Sequence, residues 1–146
     1  MNHDARHSLE DVLDREITAA QSLAQTLAAE RSALTGDSPE AVKEKAAEKV
    51  RLIGNIEELE GERRALWGTS GADGTAFGDI VAERWRKLMD LMAGCRIANE
   101  VNGHVIHIRQ NQVRQLFDIV RGGAPMTTYG PQGKTFTRAL RALARA

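Results

Sequence analysis

The sequence predicts an all-α protein: an elongated antiparallel three-helix bundle or coiled coil with a long third helix, then a flexible linker and a short C-terminal amphipathic helix. The first observation is composition. The 146 residues are 42% hydrophobic and 27% charged, with only six aromatic residues and three prolines. That balance, rich in Ala, Leu, Glu and Arg, favours helices over a sheet. The second is periodicity: apolar residues recur at steps of three, four and seven through three long stretches. The third is punctuation, because glycine-bearing breaks separate those stretches where helices must stop.

The first helix is expected over about 8–34. Ser8 suits an N-cap, with Asp11 three residues on. Leu13, Ala20, Leu27 and Leu34 then repeat every seven residues, with Ile17 and Ala24 between them. Gly36 closes the pattern. The second helix is expected over 39–67. Ser38 caps it, and Pro39 at the first position loses nothing because its missing N–H would be unpaired there. Val42, Ala46, Val50 and Ile53 open its stripe, and Leu52, Ile56, Leu59 and Leu66 continue it. Glu44, Glu48, Glu58 and Glu62 are expected on its outer faces with Lys45, Lys49, Arg63 and Arg64, pairing within the helix. Gly54 and Gly61 weaken it by roughly 1 kcal/mol each relative to Ala; either a neighbour approaches closely there or the helix bends.

Gly68–Thr75 has glycine at three of eight positions and reads as a linker. Trp67 and Trp85 flank it and can stack to close that end of the bundle. The third helix is expected over about 76–121, ending at Gly122-Gly123. Its seam runs Val81, Trp85, Leu88, Met92, Cys95, Asn99, Asn102, Ile106, Arg109, Val113, Leu116 and Val120. At 1.5 Å per residue it is ~69 Å long, against the ~40 Å its neighbours can flank. Roughly the last 17 residues should therefore overhang, carrying Val105, Ile106, Ile108, Val113, Leu116, Phe117, Ile119 and Val120. An apolar stripe of that size needs a cover: the chain's own tail, a second copy, or another protein. Residues 1–121 thus form the bundle domain and 122–146 a tail. The tail's first part is rich in Gly and Pro, and a short helix over about 135–145 has an apolar face of Phe136, Leu140 and Leu143.

Net charge is zero but unevenly placed. Residues 1–75 carry 9 Lys/Arg and 15 Asp/Glu, and residues 76–146 carry 11 and 5. Beyond Glu100 the only acid is Asp118, against seven Lys and Arg. A basic face complementing the acidic half explains this, as does a basic end seeking an acidic partner or nucleic acid.

Several function classes are set aside. The one cysteine, Cys95, allows no internal disulfide, which fits a reducing compartment. The N-terminus has no apolar signal region, and no apolar run reaches the ~20 residues of a membrane span. A soluble, cytoplasmic protein without membrane insertion is expected. His3/His7 and His104/His107 could each share a helix face, but no third or fourth ligand follows at regular spacing, so no metal site is expected. No phosphate loop, nucleophile motif or paired acids in a cleft appear, so neither enzyme activity nor a cofactor is expected. Nucleic-acid binding lacks aromatic interleaving and a docking motif.

Asn99 and Asn102 occupy consecutive seam positions, with Gly103 directly after them. Buried asparagine lowers stability but sets register, because its amide must find a partner. Register-setting is the reading adopted for Asn99, Asn102 and Gly103. The alternatives are contact with a client, or a drifting seam that turns both amides to solvent.

The string Asn99-x-x-Asn102-Gly103-x-Val105-Ile106, a helix with Val113 and Leu116, and Thr128-Tyr129-Gly130-Pro131-x-Gly133 resemble the FlgN family of flagellar export chaperones. Leu52, Ile56, Leu59, Glu60, Arg63 and Leu66 are similar to that family's second helix. The resemblance implies a small cytoplasmic bacterial protein, without catalysis or cofactor. It implies binding of hook–filament junction proteins before type III export, through a C-terminal client site, with contacts to export-apparatus components. Val113, Leu116, Phe117, Val120, Tyr129, Phe136, Leu140 and Leu143 are the client-binding candidates. A self-associating coiled-coil scaffold, pairing the overhang in a homodimer, is the alternative.

Overall fold

The computed structural model describes residues 3–36, 38–68 and 74–122. Among them are three helices and no strand: α1 (His3–Thr35), α2 (Pro39–Trp67) and α3 (Asp79–Val120), with a 3-10 turn at Thr75–Phe77 before α3. The expected tail helix over about 135–145 lies outside the described residues.

Two helix starts differ from the sequence expectation. α1 begins five residues before Ser8, whose hydroxyl donates to the Asp4 carbonyl at 2.9 Å inside the helix instead of capping it. The added turn is held by Arg6, which pairs with Glu10 at 3.3 Å and lies against Gly78. α3 begins later than expected, because Gly74 (φ 75°) and Gly78 (φ 102°) frame the 3-10 turn. A side chain at either would be strained there, since positive φ is glycine's region. The turn buries Phe77 against Trp67, ring centroids 5.3 Å apart. Trp67 also meets Trp85 at 4.9 Å, closing that end of the bundle. α2 opens as its residues imply: Ser38 Oγ accepts from the Ala41 N–H at 3.3 Å, with Pro39 in the first turn.

α1 and α3 run parallel, with α2 antiparallel to both. Cys95 meets Ala20, and Asn102 meets Leu27, each pair 75 residues apart. Both other helices pack along α1. One core cluster joins Leu9, Leu13, Ile17, Trp67, Phe77, Val81 and Leu88; the next joins Leu23, Leu27, Leu52, Ile56, Leu59 and Cys95. α2 is one helix through Gly54 and Gly61, and open space, not a neighbour, lies beside both. α3 is one helix of 42 residues, ~63 Å, unbroken at Gly103.

The overhang is shorter than expected. The offset that aligns Asn102 with Leu27 sets the end of α1 level with Gln110. Arg109 accordingly donates to the Gly36 carbonyl at 3.2 Å. Only residues 111–120 outrun the bundle, ~15 Å of helix. Val105 and Ile106, expected on the overhang, are half-buried beside the end of α1.

Candidate functional site

The seam of α3 changes character twice along its length. It is apolar up to Cys95, polar at Asn99 and Asn102, and apolar again from Ile106 onward except at Arg109.

At the polar step, four side chains from three helices meet. Glu30 of α1 is 1% exposed and pairs with Lys49 of α2, Oε2 to Nζ 2.9 Å. The same Nζ donates to Asn99 Oδ1 at 3.2 Å. Asn102, also 1% exposed, donates from Nδ2 to the Leu27 carbonyl and to Glu30 Oε1, both at 2.9 Å. Gly103, next in the chain, is buried as well. Buried charges persist only when paired and hydrogen-bonded, and here each is.

Fourteen residues away on both helices a second such pair lies inside. Arg63 Nε donates to Glu16 at 2.9 and 3.1 Å. The guanidinium also lies over the Trp85 ring, 4.6 Å from its centroid. Burial pushes the Glu16 carboxyl above its ordinary range, and Arg63 only partly offsets that. These positions correct the sequence reading, which set Lys49 and Arg63 on the outer faces of α2. Glu16 and Glu30 were missed as buried partners. The signal was present: both pairs repeat at two-heptad spacing, with Leu23 and Ile56 midway between them in one core cluster.

Beyond the polar step, a groove of about 650 Å³ opens where the α1–α2 turn faces α3. Leu34, Pro39, Val42, Ala46, Val50 and Ile106 line it, with Arg109 and Gln110 at the α3 wall. Val50 is 69% exposed.

The groove leads to the overhang. Val113, Leu116, Phe117 and Val120 share one face at steps of three, one and three, continuing the stripe that is buried at Val81, Leu88 and Cys95. All four are exposed, Leu116 at 61% and Val120 at 83%. Ile108 and Ile119 are exposed on a neighbouring face. Of the client-binding candidates the structure brings these four together; Tyr129, Phe136, Leu140 and Leu143 lie outside the described residues.

Cys95 is buried, its Sγ donating to the Ala20 carbonyl at 3.5 Å, and burial raises its pKa. His3 and His7 stack edge to face, and His7 faces Glu10. Among the described residues no three metal-ligating side chains gather, and no helix is long and apolar enough to cross a membrane.

No curated protein and no solved structure matches the chain. A family model described as FlgN protein matches residues 1–137. That stretch holds all three helices, the polar seam and the overhang; Leu140 and Leu143 lie beyond it. The chain belongs to the FlgN family of flagellar export chaperones.

Proposed function

We propose that this protein is a cytoplasmic chaperone for hook–filament junction proteins, masking their polymerising terminal helices and delivering them to the flagellar type III export apparatus. The observation that supports this reading is the exposed continuation of a buried stripe. Val113, Leu116, Phe117 and Val120 have the spacing of a helix seam, yet each is more than half exposed. An amphipathic helix laid along such a seam completes it, as in helix-in-groove recognition. Asn99 and Asn102, held by Lys49, Leu27 and Glu30, set the register that leaves this seam uncovered. Tyr129, Phe136, Leu140 and Leu143 add to the same client site.

The test is co-purification of junction proteins from a flagellated bacterial lysate. Deleting residues 122–146, or combining Leu116→Asp with Phe117→Asp, should abolish it with thermal unfolding nearly unchanged. Full retention by both variants would remove the C-terminal end from the site. If light scattering instead shows a tight dimer indifferent to junction proteins, the self-associating scaffold is the correct reading.

A further inference from the structure

We infer that the helix seated on the α3 overhang is acidic, its charged flanks complementing Arg109 and Arg121. This rests on the docking reading proposed above and adds the chemistry of the occupant.

Three occupants compete for the stripe, and charge separates them. Along the chain from Val101 to Arg121 the charged residues are Arg109, Arg114 and Arg121 against Asp118. A second copy docking end to end would bring the same cations. The chain's own residues 123–146 carry Lys134, Arg138, Arg141 and Arg145 and no acid. Like charges facing across an interface disfavour both.

The acidic half of a second molecule fails for a different reason. Residues 1–75 are net negative, but among the described residues Val50 is the one large hydrophobic side chain exposed on α1 or α2. Its apolar opening, the groove at the α1–α2 turn, is lined by that molecule's own Arg109 and so brings a cation with it. Nucleic acid offers negative charge with nothing to complement Leu116 and Val120. An occupant with one apolar face and acidic flanks meets both demands.

The cations are positioned for that role. Arg109 donates one N–H to the Gly36 carbonyl, which fixes its guanidinium at the base of the overhang. Arg121 lies over the Phe117 ring at 5.9 Å from the centroid, beside the stripe itself. Arg114, engaged within the molecule, sits between them in sequence. From Val120 down to Ile106 in the groove is ~21 Å, so an occupant of about fourteen helical residues spans both.

The experiment uses the full chain and three fluorescent amphipathic peptides with the same Leu/Ala face, flanked by Glu, Gln or Lys. The Glu peptide should bind at least about tenfold more tightly than the Lys peptide, and the gap should shrink at high salt. The double variant Arg109→Glu/Arg121→Glu, folded by circular dichroism, should invert the order. Equal, salt-independent binding of all three overturns the inference yet leaves the docking reading intact. A single-stranded oligonucleotide that displaces the Glu peptide at equal concentration overturns it in favour of nucleic acid. Absence of binding by every peptide overturns it too, and junction-protein co-purification then decides separately whether the docking reading stands.

Discussion

Lys49 Nζ lies 2.9 Å from the Glu30 carboxylate, with Glu30 almost wholly out of water, Asn99 accepting from Lys49 and Asn102 donating to Glu30. A charge removed from solvent at that depth is tolerable only with its partner in place.

Glu30→Leu or Lys49→Leu alone should therefore destabilise the protein by roughly 3–5 kcal/mol, since each strands the other charge. The double Leu variant should recover most of that loss. Urea unfolding of the four proteins in a double-mutant cycle measures it; additive losses would show that the two charges do not interact.

Asn102→Ala should cost about 1–3 kcal/mol, because the Leu27 carbonyl and Glu30 Oε1 each lose a donor. Asn99→Leu/Asn102→Leu tests the register role instead. That variant should keep its helix content but show broadened or doubled amide NMR signals, as expected when an apolar seam can slip. A single sharp set of peaks would assign the amides to stability alone.

The glycines divide by environment. Gly54→Ala and Gly61→Ala meet nothing within 4 Å and lie in a regular helix. Each should raise stability by roughly 0.5–1 kcal/mol, visible as a higher Tm. Gly78→Ala should do the reverse. Its φ is 102°, and an added Cβ would stand 2.9 Å from the Arg6 guanidinium.

Glu16 gives a pH dependence of definite sign. Burial raises its carboxyl pKa in the folded protein, so the folded state holds that proton more tightly than the unfolded chain. Its stabilising contribution is complete below the unfolded carboxylate pKa and is lost as pH rises through the folded value. The stability of the natural protein relative to Glu16→Gln should therefore increase as pH falls from neutrality into the carboxylate range. Urea midpoints of both proteins across pH 4–7, an interval set by the ~4.3 reference for Glu, check this. A difference that narrows on acidification would mean that Arg63 outweighs burial.

Cys95 supplies an independent reporter. Buried against Ala20 with a raised pKa, it should resist thiol reagents until the bundle opens. Its labelling rate should then follow the stability ranking of the variants above.

Much of this was legible in the residues. Ser38-Pro39 announced the start of α2, Gly36 and Gly122 marked stops, and Val81, Leu88, Cys95 and Asn102 showed at heptad spacing which face of α3 turns inward. The string from Asn99 to Ile106 already resembled the family to which the chain belongs. Such features belong to one helix or one turn, so one stretch of sequence suffices to read them. Lys49 and Arg63 were not legible in the same way. Within α2 Arg63 has Glu60 three positions before it and Lys49 adjoins Glu48, so both read as solvent-facing charges; they point inward because α1 presents Glu16 and Glu30 at matching height. The extent of the overhang, too, depended on how far α3 slides along α1, which Asn102 meeting Leu27 and Arg109 meeting Gly36 reveal. Periodicity is intrinsic to a single helix, whereas height and rotation between helices are set by packing across all three, and that is what only the tertiary structure decided.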